Sequence, residues 1–129
     1  MKTINVTLNS AGGYDTTWRE IGVSDYTDAV ISLKGVWSGP VSFWGDNKPT
    51  AGSTLMAVQD ISTTNWTTAV QYEAGASPSE NTFVARVPIA GLTRIGIWGD
   101  TFNFSGFGTF VSVGDVQVVV TLVSNTNAR

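Results

Sequence analysis

Hydrophobic and polar residues alternate along most of this chain, and alternation at period two is the pattern of half-buried β-strands. In the clearest case Phe83, Ala85 and Val87 alternate with Val84 and Arg86. No window of ten or more residues shows a helical period. The pattern predicts extended segments at residues 3–8, 17–23, 30–45, 54–61, 66–72, 82–87, 92–98 and 115–123.

Segment 30–45, read as VISLKGVWSGPVSFWG, predicts two short strands closed by a tight turn. Its turn is WSGP, in which Gly39 supplies a permissive φ and Pro40 a fixed one. The sequence therefore predicts a β-hairpin around Gly39.

The last segment is apolar on both faces. Val116, Val118, Val120 and Leu122 form one face of residues 115–123, and Val119 and Val123 lie on the other. A strand of this kind is either central in its sheet or covered by another subunit.

These segments, separated by turn signals every eight to twelve residues, predict the fold class. The expected fold is all-β: a single-domain antiparallel β-sandwich over residues 1–129, jelly-roll-like or Ig-like, with about eight strands. Fourteen glycines and low charge fit this class better than a helical or α/β domain.

The amino-acid composition limits the reactions and ligands that this chain could support. The chain has neither cysteine nor histidine, which removes the commonest general base, the usual transition-metal ligands and the usual activated nucleophiles. Its seven basic residues are scattered and its net charge is −3, so no nucleic-acid footprint appears. No segment is apolar enough to span a membrane. We therefore expect no enzyme activity, no metal, no cofactor, and neither nucleic acid nor membrane as a partner.

The tripeptide Trp-Gly-Asp occurs twice, ending at Asp46 and at Asp100. Two carboxylates brought together could act as an acid and base pair or bind a cation. Alternatively, Gly-Asp simply begins the turn after each strand, which is the interpretation we favour.

Aromatic residues raise a second question. Five tryptophans and three tyrosines could form a flat platform for sugars, or they could belong to the core of a small β domain. They are Trp18, Trp37, Trp44, Trp66, Trp98, Tyr14, Tyr26 and Tyr72, and the leading platform candidates are Trp66, Trp44 and Trp98. The segment 99–108, GDTFNFSGFG, and the residues after it hold Phe102, Phe104, Phe107 and Phe110 among glycines. These rings either fold back onto the sandwich or, with Val119 and Val123, form an interface.

Three stretches carry a family resemblance: GVWSGPVSFWG at 35–45, TFVARVPIAGLTRI at 82–95 and VGDVQVVVTL at 113–122. Their turn glycines and alternation resemble a β-sandwich module of tailed-phage virion proteins. The resemblance covers about three quarters of the chain and transfers no catalytic residues.

The resemblance implies a structural virion protein, most plausibly a capsid decoration (cement) protein that stabilises the shell by bridging capsomers. Its partner would be the major capsid protein or another virion protein, and it would often act as a homotrimer. It would be made in the host cytoplasm without a signal peptide and reside on the capsid surface. The alternatives are a head-fibre or tail accessory protein and a carbohydrate-binding module used in host adsorption.

Overall fold

Strands dominate the protein. The structure is a computed structural model that describes residues 1–47, 54–72, 78–103 and 108–124. Ten strands lie in the described part of the chain: β1 Lys2–Leu8, β2 Trp18–Gly22, β3 Asp28–Asp46, β4 Thr54–Leu55, β5 Val58–Asp60, β6 Trp66–Thr67, β7 Ala69–Tyr72, β8 Ser79–Pro88, β9 Arg94–Gly99 and β10 Val111–Val123. A 3₁₀ turn, Ser10–Gly12, and a four-residue helix, α1 Tyr14–Thr17, connect β1 to β2. The all-β prediction is confirmed.

Two antiparallel sheets share strand β3. Sheet A has the order β1-β10-β3-β8-β5-β6 and uses residues 28–38 of β3. Sheet B contains β2, β9, β4 and β7 together with residues 39–46 of β3. The predicted antiparallel sandwich is therefore present, built around one strand that belongs to both layers.

The predicted hairpin around Gly39 is wrong. Residues 28–46 form one strand of 19 residues, and its two halves pair with different neighbours rather than with each other. A straight strand of this length would span roughly 60 Å, whereas a domain of this size has a radius of gyration of roughly 14 Å. The strand therefore has to bend, and it passes from sheet A to sheet B at Gly39, where φ is +87°.

Two other boundaries also differ from the predictions. The segment predicted at 54–61 is divided into β4 and β5, with Met56 packed against the core between them. The loop predicted at 75–81 is shorter at its end, since β8 already begins at Ser79. Residues 48–53 of the predicted loop 45–53, and residues 75–77 of the loop at 75–81, lie outside the described residues.

The core lies between the sheets and follows the predicted alternation. From sheet A it takes Ile31 and Leu33 of β3 and the inward residues of β8 and β10, and from sheet B it takes Phe43, Ile95 and Ile97. The rings of Phe43 and Phe83 stack across the two layers with centroids 6.2 Å apart. These apolar contacts hold the two sheets face to face.

Candidate interaction surfaces

The outward side of sheet A is here named the A face and is defined by Val30, Val84, Val119 and Ile61; exposed Arg86 lies beside Val30 on the same side. Val119 pairs with Ser32, and Ser32 pairs with Val84 in the next strand. The amide of Ile61 donates a hydrogen bond of 3.0 Å to the carbonyl of Val84. Since paired residues point to the same side of a sheet, the side chains from Val119 to Val84 form one continuous row.

Strand β10 is central in sheet A, because β1 pairs with one edge and β3 with the other. This position accounts for its two apolar faces. Val119 and Val123 are half-buried, whereas Val84 and Ile61 are exposed. A depression of about 340 Å³ lies beside the two exposed residues and is lined by Asp60, Ile61, Ser62, Thr82, Phe83 and Val84. The A face thus offers a partner exposed apolar side chains and a depression beside them.

The phenylalanine segment divides into two parts. Phe110 is 1% exposed and lies in the core, so its ring is not available to a partner. Phe102 is 67% exposed, and its ring contacts that of Trp98 at a centroid distance of 6.0 Å. Phe104 and Phe107 lie outside the described residues. Of the four phenylalanines suggested for an interface, the described part of the chain therefore places Phe102 on the surface and Phe110 inside.

Phe110 links the chain between β9 and β10 to the bend in β3. Its amide donates to the carbonyl of Asp100 at 2.6 Å, and the amide of Asp100 donates to the carbonyl of Pro40 at 3.1 Å. Its ring packs directly on Gly99, where a Cβ atom would come within 2.5 Å of it. The chain before β10 is therefore anchored where β3 changes sheets.

The three tryptophans suggested as a sugar platform do not lie together. Trp66 is 56% exposed on β6, at the edge of sheet A. Trp44 and Trp98 lie on the outward side of sheet B, with ring centroids 6.2 Å apart in an edge-on arrangement, and Trp98 is only 8% exposed. The Trp44 indole N–H donates to the Ser42 hydroxyl at 2.9 Å.

Trp18, which the sequence offers for the platform together with the other tryptophans, also belongs to this surface. Trp18 pairs with Trp98, and its six-membered ring covers Gly96, where a Cβ atom would lie 2.3 Å from it. A glycine at the centre of an apolar strand often marks the close approach of another group, and at Gly96 that group is Trp18.

A three-membered ion pair borders the tryptophans. The guanidinium of Arg94 donates from Nε and Nη2 to Asp46 Oδ2, at 3.0 and 2.7 Å, and its Nη1 contacts Glu20 Oε1. Asp46 is buried, whereas Arg94 and Glu20 reach the solvent. The hydrogen bond to Asp46 and the charges of both carboxylates raise the pKa of Arg94.

The two Trp-Gly-Asp motifs lie at opposite ends of the β3–β9 ladder. Asp46 pairs with Arg94, while Gly99 pairs with Val41, so the two carboxylates are separated by roughly 20 Å along the strands. Glycosidases place their carboxylates about 5 to 9.5 Å apart. Asp100 Oδ1 instead accepts the amide of Phe102 at 3.0 Å, which is the side-chain turn expected after a strand.

Neither a metal site nor a membrane span is found among the described residues. They contain no group of three or more acidic side chains close enough to bind a metal ion. None of the helices found there is long and apolar enough to cross a membrane. The fold and its surfaces define an antiparallel β-sandwich with two outward faces, one carrying the row from Val119 to Val84 and the other carrying the tryptophans.

Comparison with known proteins gives a structural relative and no family. No family model matches the chain, and no curated protein matches it. Among solved structures, the chain is similar to the SPBc2 prophage-derived protein YomS, with a TM-score of 0.62 and 13% sequence identity. The match covers 95% of this chain and 94% of that chain. The two chains therefore share a fold over nearly their entire lengths.

Proposed function

We propose that this chain is a structural virion protein of a tailed phage that decorates the capsid and stabilises it by bridging capsomers. The observation that carries the proposal is the fold shared over 95% of the chain with a prophage-derived protein. The resemblance of residues 35–45, 82–95 and 113–122 to a virion β-sandwich module supports the same assignment independently of that likeness.

The A face is the surface we propose for the capsid or for neighbouring copies. Val84 and Ile61 expose apolar side chains beside the depression, and Val30 and Val119 extend the same surface across the sheet. Exposed apolar patches on small soluble domains are typical of interaction sites. A homotrimer at a local symmetry axis would bury such a face in each copy.

Purified chain mixed with empty capsid shells tests the proposal. We expect a defined oligomer in light scattering, saturable co-sedimentation with shells and a higher shell melting temperature. Val84→Glu places a charge on the A face without touching the core, and it should weaken shell binding at least tenfold.

Thr54→Glu is the matched control, because Thr54 is also exposed on a strand but lies in sheet B. It should bind shells like the unmodified chain. If the chain does not sediment with shells at any ratio, the decoration role is wrong. If Thr54→Glu and Val84→Glu weaken binding equally, the role stands but the A face is not the docking surface.

A further inference from the structure

The outward side of sheet B combines flat aromatic rings with fixed charged groups, and the proposed capsid contact does not use it. We name it the B face and define it by Trp18, Glu20, Trp44 and Arg94. Glu20 pairs with Gly96, and Gly96 pairs with Trp44, so Glu20 and Trp44 lie two strands apart, at a separation of about 10 Å. Arg94 lies two residues before Gly96 on β9, on the same side of the sheet.

Gly96 gives this surface its shape. Because residue 96 has no side chain, the six-membered ring of Trp18 lies directly against the backbone of β9. Trp44 stands on the other side of Gly96 and is braced by its hydrogen bond to Ser42 and by its edge contact with Trp98. Both Trp18 and Trp44 are half-buried, so they are held in place while part of each remains accessible.

Polar groups beside the rings are also held in place. Arg94 and Glu20 have side chains 30% and 38% exposed, and buried Asp46 fixes the guanidinium from behind. The contacts of Arg94 with Asp46 and Glu20, among the described residues, engage three nitrogen atoms of a guanidinium that has five N–H donors. Donors and a carboxylate acceptor are therefore presented together at the edge of the aromatic surface.

We propose that the B face binds a neutral saccharide. The C–H face of a pyranose ring would stack on Trp18 and Trp44, while its hydroxyls would exchange hydrogen bonds with Arg94 and Glu20. The guanidinium of Arg94 and the carboxylates of Glu20 and Asp46 together leave an excess of negative charge at this face. This charge disfavours acidic glycans and the phosphates of nucleic acids.

The site does not depend on the proposed capsid role, because it lies on the opposite sheet from the A face. A chain docked through sheet A would present sheet B outward. Failure of shell binding would therefore leave the saccharide proposal intact. Failure of saccharide binding would likewise leave the proposed capsid role intact.

An array of neutral and acidic glycans, followed by titration calorimetry with the best neutral oligosaccharide, tests the proposal. We expect micromolar to millimolar affinity for one or more neutral glycans, with a change in tryptophan fluorescence on binding. Trp44→Ala should weaken binding at least tenfold. Glu20→Gln should weaken it several-fold, and because Glu20 is partly exposed this variant should fold normally.

Trp66→Ala is the matched control, since it removes an exposed tryptophan from the edge of sheet A. It should leave the affinity within twofold of the unmodified chain. The proposal is overturned if no neutral glycan on the array binds, if acidic glycans bind more tightly, or if Trp66→Ala weakens binding as much as Trp44→Ala. Loss of the glycan-induced fluorescence response in the presence of purified shells would show that the shell covers the B face, and would overturn the statement that a docked chain presents sheet B outward.

Discussion

Replacing Gly39 with alanine should destabilise the protein severely, because the crossing of β3 between the two sheets depends on this residue. A Cβ atom at position 39 would lie 2.1 Å from the carbonyl oxygen of Thr109 and 2.9 Å from Cα of Phe110. Both atoms belong to backbone that is anchored through Asp100, so the segment cannot yield without losing its hydrogen bonds.

Two costs combine in this variant. A non-glycine residue at φ +87° costs about 1–2 kcal/mol, and overpacking against fixed backbone costs about 1–3 kcal/mol, occasionally more. The free energy of unfolding should therefore fall by about 2–5 kcal/mol. In a domain of this size such a loss lowers the melting temperature by roughly 7–20 °C.

Two other glycines separate these costs. Gly91 has the same φ of +87°, but no atom lies within 4 Å of the point where a Cβ would stand, so Gly91→Ala should cost about 1–2 kcal/mol. Gly22 has neither a positive φ nor an atom within 4 Å of the point where a Cβ would stand. Gly22→Ala should therefore stabilise the protein by up to about 1 kcal/mol, because alanine restricts the unfolded chain more than glycine does. Urea unfolding followed by tryptophan fluorescence measures all three. A Gly39→Ala value equal to that of Gly91→Ala would refute the close approach of β3 to Thr109.

Two further expectations concern single side chains. Phe110→Ala should lower the free energy of unfolding by about 3–5 kcal/mol, whereas Phe102→Ala should change it by less than about 0.5 kcal/mol; equal effects in urea unfolding would contradict the anchoring role of Phe110. The hydroxyl and amide of Ser62 each donate to Asp60 Oδ1 at 2.8 Å, and the hydroxyl is the largest cause of the lowered pKa of Asp60. Ser62→Ala should therefore raise the pKa of Asp60 toward 3.8 in a carboxyl NMR titration, and an unchanged pKa would exclude this bond. Because the folded-state pKa is lowered, the stabilisation is present above pH 3.8 and is lost as the pH falls through the folded-state value.

Alternation predicted the inward faces of the strands well, because each strand has one face on the core. Phe83, Ala85 and Val87 are buried as expected, and the two apolar faces of β10 reflect its central position. The hairpin prediction failed because glycine and proline at 39–40 favour a bend without deciding whether the chain reverses. All of residues 37–43 are buried at the crossing, so burial does not alternate there and the local pattern could not show whether the chain reverses.

The composition of the aromatic surface was less accessible from the sequence. Trp18 and Trp44 are far apart along the chain and come to the same side of sheet B only through the pairing of β2, β9 and β3. Trp66 carries the same side chain but lies at the edge of the other sheet. Strand order decides which residues share a face, and local patterns do not encode that order.

Membership of this chain in a virion can be measured on particles from a culture that produces them. Particles banded in a density gradient would be probed with an antibody against the chain and quantified by mass spectrometry. We expect the chain to co-band with the major capsid protein in a fixed ratio over successive gradients. A chain that stays at the top of the gradient, with none in the particle band, would contradict it.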